Sequence, residues 1–157
     1  MKLKIKNRGI YYTILYDDED HELINKYRWS LDKDLYVVGY LKGLANYKQK
    51  PVKMHRIIMK DQMNGLPELD HIFHNKQDNR KHKLRPCTHS QNHMNVIGKG
   101  KSKYLGVSYI RNRIRARIKV NGKEIYLGTF NTEESAAKAY DKNVVKYHGE
   151  FANLNFK

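Results

Sequence analysis

At 157 residues with 39% apolar side chains, the chain suits one ordinary domain or two small ones around a modest core. Its 31 Lys and Arg against 16 Asp and Glu leave a formal charge of +15, a field that gathers polyanions and makes nucleic acid the first partner to consider. One cysteine, Cys87, excludes an intrachain disulfide framework; with no apolar run of about 18 residues and no signal-peptide core at the start, a cytoplasmic protein without membrane association is expected.

Residues 1–16 alternate loosely and end in YYTILY, which predicts a strand. The acidic run Asp17-Asp18-Glu19-Asp20 reads as a helix start, because acids in a first turn favour the helix dipole and Leu23, Ile24 and Tyr27 follow at helical spacing. Trp29, the sole tryptophan, is expected to anchor a core. Leu35–Leu41 and Lys53–Met59 read as strands. The loop between them carries Lys42, Lys48 and Lys50, which either touch phosphates or are solvated.

Gly65 and Pro67 break the chain before LDHIFHNKQDNRKHKLRPCTHSQNHMN, Leu69 to Asn95. This stretch reads as a strand, a polar loop, a second short strand and a helix starting near Thr88. Asp70-His71 then end the first strand, with Asn92 and Asn95 facing back from the helix. A carboxylate and an amide suit a hard ion such as Mg²⁺ or Mn²⁺, and an imidazole takes a proton from water. His74, His82 and His93 with Cys87 match no familiar structural zinc spacing.

Residues 96–102, VIGKGKS, have no periodicity and read as a linker. Beyond them GVSYI, RIRARIKV and KEIYLGTF, the last two separated by Asn121-Gly122, predict three antiparallel strands. Ile114, Ala116, Ile118 and Val120 fall on one face of the middle strand, and Arg113, Arg115, Arg117 and Lys119 on the other. A helix follows, with Asn131 and Glu134 as cap and return pair, Gly149 past its end, and an apolar stripe of Ala136, Ala137, Tyr140, Val144 and Tyr147. Four like charges with no carboxylate alternating among them repel one another unless a polyanion meets them.

Lys103 to Phe156, through YLGVS, RARI, YLGTFNTEESAAKAYD and HGEFANLNF, closely resembles the plant ethylene-response-factor (APETALA-type) DNA-binding domain. The resemblance implies a sheet in the major groove of double-stranded DNA, with Arg111, Arg113, Arg115, Arg117 and Tyr126 as contacts beside Lys119. Ile114 stands where plant members usually carry tryptophan. The frame DH, DNR, LR, TH, QN resembles the HNH nucleases of the ββα-metal type, and with the second domain attached the chain is similar to phage-type HNH homing endonucleases. This implies Asp70 and Asn92 as metal ligands and His71 as general base, with His89 at the edge of the site. His55 and Arg56 match the family's MHR element, implying support or phosphate contact. Lys83 replaces the family's usual asparagine before Leu-Arg, and Phe73-His74 replace an Asn-Gly turn; Asn79 or His82 would compensate.

The expected fold class is α+β. Residues 1–95 form the nuclease domain (strands in 1–60, ββα-metal core 66–95), 96–102 a linker, and 103–157 a three-stranded antiparallel sheet packed on one helix. The expected function is a site-directed DNA endonuclease or nickase, monomeric and without a protein partner, phage-encoded and acting in a bacterial host cell. Two alternatives stay open: a catalytically degenerate DNA-binding regulator derived from such a nuclease, and an RNA-binding protein.

Overall fold

Leu3 and Ile5 alternate with Lys2, Lys4 and Lys6 at the start of the chain. In the computed structural model, which describes residues 1–43, 50–95, 100–120 and 122–156, this alternation becomes β1 (Lys2–Asn7). It pairs antiparallel with β2 (Ile10–Leu15), so the expected single strand is a hairpin. Arg8 and Gly9 make its turn at φ 49° and 85°, the left-handed pair that matches strand twist in a two-residue loop. The fold is α+β and divides into two compact units, Met1–Thr88 and His89–Lys157.

The acidic run starts a 3₁₀ turn, Asp18–Asp20, that leads into α1 (His21–Asn25). Tyr27 is not part of that helix: it opens β3 (Tyr27–Leu31), where the β-forming run YRWSL takes over. β3 pairs with β4 (Val37–Leu41), and β4 with the short β5 (Val52–Lys53). The second strand starts two residues later than expected because Leu35 sits at φ 64°, inside a turn closed by Asp32. Trp29 lies opposite Gly39, and a Cβ there would come within 2.5 Å of the indole. The ring therefore needs that glycine to reach the core it covers.

The predicted strand Lys53–Met59 is instead mostly helix, α2 (Met54–Ile58). Met54, His55 and Ile58 are buried at helical spacing, and this overrides the strand preference of the paired isoleucines. β6 (Glu68–His71) and β7 (Leu84–Cys87) complete the unit as an antiparallel pair. One core joins these parts: Ile5 and Ile14 of the hairpin, Val37 of β4, Met54 of α2, Leu69 and Leu84. Burying each such side chain is worth about 1.5–3 kcal/mol, so the hairpin, the sheet and the β6–β7 pair hold one another in place. Lys42 and Lys50 are exposed, while Lys48 lies outside the described residues.

The second unit begins with α3 (His89–Met94), directly after Thr88 as expected. Residues 96–99 of the expected linker and Asn121 of the expected turn lie outside the described residues. β8 (Val107–Ile110), β9 (Arg113–Val120) and β10 (Lys123–Phe130) form an antiparallel sheet in the order β10-β9-β8. α4 (Glu133–His148) packs on it through Ala136, Ala137, Tyr140 and Val144, whose small or flat side chains let the helix lie close. Its cap is Thr132, one residue later than the expected Asn131: the Thr132 hydroxyl accepts from the Ser135 amide at 3.1 Å. Asn155 fastens the C-terminal tail, binding Leu105 and the Asp141 carboxylate. Among the described residues no helix is long and apolar enough to cross a membrane.

Candidate functional site

Antiparallel register sets Asp70 of β6 opposite Arg85 of β7, and His71 opposite Leu84. The Arg85 Nε and Nη2 groups both donate to Asp70 Oδ2, at 2.9 and 2.7 Å. This fork fixes the carboxylate at the end of the strand, and both side chains are nearly buried. Leu69 and Leu84 pack into the core on either side of the pair, so an apolar core holds the polar residues in position.

His71 is 6% exposed. His71 Nε2 lies 3.4 Å from Oδ1 of Asn79, a long hydrogen bond that the wholly buried amide oxygen accepts. Asn79 is itself fixed by its backbone, whose N–H donates to Leu15 O at the end of β2. Burial pushes the His71 pKa below the ordinary histidine value, against the opposing pull of the Asn79 hydrogen bond and the Asp70 charge. The ring is therefore neutral at neutral pH. With Nε2 carrying the proton given to Asn79, the lone pair sits on Nδ1.

His55 packs edge-on against His71, with ring centroids 4.9 Å apart, and lies 5.5 Å from Tyr36. Burial, with the neighbouring His71 second, takes its pKa down to about 3. The sign of the pH effect follows. An unfolded chain binds a proton at His55 below its ordinary 6.5 and the folded one does not until about 3. Stability from this group is thus full above 6.5 and is expected to fall by about 1.4 kcal/mol per pH unit as pH drops through that window. Urea unfolding followed by Trp29 fluorescence measures it, and His55→Leu is expected to flatten the dependence.

Tyr36, Lys53 and Lys76 are neighbours of this cluster that sequence reasoning missed. The Nζ atoms of Lys53 and Lys76 each lie 4.2 Å from the centroid of the Tyr36 ring, which in turn is 6.1 Å from His71. Residues from three separate segments thus meet at one ring, and the Lys76 charge helps to lower the His71 pKa as the Lys53 charge helps to lower that of His55. Arg56 plays a different part: it braces β6, donating to Pro67 O and pairing with Glu68 at 2.9 Å. Lys83 directs its ammonium over the exposed Phe73 ring, 5.0 Å from its centroid. The two departures from the expected pattern therefore contact each other. His89 and Asn92 lie on α3 in the second unit, His89 exposed and Asn92 half-buried.

In the second unit Arg111 and Asn112 form the β8–β9 turn at positive φ. Arg113 and Lys119 are exposed, Arg115 and Arg117 half-buried, and Tyr126 is 61% exposed. The expectation of an uncompensated cationic strand needs correcting. Glu124, across the ladder on β10, pairs with Arg117 and lies 3.6 Å from Arg115. Arg115 also donates through Nε to the Ser108 hydroxyl at 3.1 Å. Alternation within one strand could not reveal a carboxylate supplied by its neighbour.

No protein-family model matches the chain. It is similar to an uncharacterized HNH endonuclease of Acanthamoeba polyphaga mimivirus, 33% identical over 138 residues, which are 85% of this chain and 69% of the viral protein. A shorter stretch is similar to plant transcription factors. The AP2-like ethylene-responsive factor TOE2 of Arabidopsis thaliana is 44% identical over 57 residues, 35% of this chain and 12% of that protein. Its relative PLT2, also of Arabidopsis thaliana, is 48% identical over 65 residues, 39% of this chain and 11% of its own length.

Proposed function

The chain belongs to the HNH endonucleases and carries an AP2/ethylene-response-factor-type DNA-binding region, and on that premise we propose that it is a metal-dependent, site-directed DNA endonuclease. Residues 1–95 cut, 96–102 link, and 103–157 bind duplex DNA through the face bearing Arg111, Arg113, Arg115, Arg117, Lys119 and Tyr126. The observation that carries this reading is the buried His71, hydrogen-bonded to Asn79 and next in the strand to an Asp70 fixed by Arg85, in a chain of this family.

In this reading His71 takes the proton of the attacking water as its oxygen bonds to phosphorus and the bond to the leaving sugar oxygen breaks. Asn79 holds the ring in the tautomer whose lone pair is on Nδ1. Arg85 holds the Asp70 carboxylate in place. Asp70 would hold Mg²⁺ or Mn²⁺, a carboxylate oxygen being the hard donor such ions take. Such an ion, when bound, would supply charge neutralisation at the phosphate and the leaving oxygen. Lys53 and Lys76, each 4.2 Å from the Tyr36 ring centre, add positive charge suited to a phosphate backbone.

The test is conversion of supercoiled plasmid to nicked or linear DNA in Mg²⁺ or Mn²⁺. No conversion in either ion, with tight salt-sensitive binding retained, favours the degenerate regulator. Lys83 decides between these readings in a second way. Because its ammonium rests on Phe73, Lys83→Asn is expected to leave the nicking rate unchanged and to cost about 0.5–1 kcal/mol of stability. A large gain of nicking in that variant would mean that Lys83 suppresses the site.

A further inference from the structure

The β1–β2 hairpin presents a face that no part of the proposed mechanism uses. Leu3, Ile5, Tyr12 and Ile14 turn into the core. The opposite face carries Lys2, Lys4 and Lys6 on β1 and Tyr11 and Thr13 on β2, all exposed, with Arg8 at the tip. Register sets Lys4 opposite Thr13 and Lys6 opposite Tyr11, whose ring lies 5.5 Å from the Lys6 ammonium and is 67% exposed. Among the described residues none of these four cations forms an ion pair. The contrast with β9 is direct, because there Glu124 answers the arginines.

We propose that this hairpin is a second DNA-binding element, built into the nuclease unit, that grips the phosphate backbone of the duplex beside the cleavage site. The proposal rests on the endonuclease reading. Charge complementarity selects the occupant: alternate lysines about 6.6–6.8 Å apart along a strand offer a row of ammonium groups to a row of phosphates. A two-stranded ribbon is also narrow enough to enter a major groove about 12 Å wide. Connection to the site is equally specific. At the end of β2, Leu15 accepts the backbone N–H of Asn79, donates to Gln77 O at 2.8 Å, and bridges to Asp78. The ribbon is therefore fastened to the loop whose amide holds His71. A backbone seated on the lysines is registered against the general base through one rigid connection.

The test measures binding of the full chain to a mixed-sequence duplex in EDTA across a salt series, comparing wild type with a Lys2→Gln, Lys4→Gln, Lys6→Gln triple variant. A control, Lys138→Gln with Lys142→Gln and Lys146→Gln, removes the same charge from exposed positions of α4. The hairpin variant is expected to lose about 2–3 from the slope of log affinity against log salt, and the control less than about 1. Restoring charge as three arginines is expected to restore the slope, which separates contact from misfolding. Equal slopes in the hairpin variant and either the control or wild type overturn the proposal, as does loss of binding to anionic vesicles with the DNA slope unchanged. In those cases plasmid nicking by wild type leaves the endonuclease reading standing. If the wild-type chain binds no duplex and nicks no plasmid, both fail.

Discussion

His71→Ala is expected to lower the nicking rate on supercoiled plasmid by about 10²–10⁴-fold while leaving duplex affinity unchanged. The split follows from where the groups sit. His71 is buried, neutral and tied to Asn79, whereas Lys2, Lys4 and Lys6 of the hairpin and Arg111, Arg113 and Lys119 of the second unit, all proposed to meet DNA, are exposed. Removing the imidazole removes the proton acceptor and leaves the polyanion field intact. Asn79→Ala is expected to cost less, because water can replace its carbonyl as a partner for Nε2. Added to His71→Ala it should cost nothing further, since it acts through the ring that is already gone. Equal nicking by wild type and His71→Ala would sink the assignment, and an additive double variant would show that Asn79 acts elsewhere.

The residues around His71 divide by how local their signals are. Asp70-His71 and Leu84-Arg85 were legible because each sits in a short strand whose ends are marked by Gly65, Pro67 and Thr88. The three strands β8, β9 and β10 were equally legible, since alternation is a property of consecutive residues. Tyr36, Lys53 and Lys76 were not, because only the fold brings three separate segments onto one ring. Met54–Ile58 misled for a different reason. Its isoleucines favour a strand, but burial of Met54, His55 and Ile58 at helical spacing depends on a core assembled from the rest of the unit. The Arg8-Gly9 turn hid inside what read as one strand, and with it the hairpin on which the second DNA contact is proposed. Lys83 looked like damage to the site because its partner Phe73 lies across the loop, ten positions earlier in the chain.

Gly106→Ala is expected to destabilise the second unit by about 2–4 kcal/mol and to weaken duplex binding with it. Gly106 sits at φ +72°, a left-handed conformation that strains any side chain. A Cβ there would lie 1.9 Å from Tyr140 Cδ2 and 2.7 Å from Arg117 O. Neither neighbour can yield: Tyr140 is 6% exposed in the core beneath α4, and Arg117 is in the middle strand, with its N–H bonded to Gly106 O at 2.8 Å. The glycine therefore allows α4 to press against the sheet at the point where β9 carries a cation of the proposed DNA face. Tyr140→Leu in the Gly106→Ala background removes the aromatic edge that clashes and is expected to recover part of the stability. Urea unfolding followed by far-ultraviolet circular dichroism, alongside duplex affinity, checks both effects. Wild-type stability in Gly106→Ala would mean that the close approach of Tyr140 to the chain at Gly106 is not a feature of the folded protein.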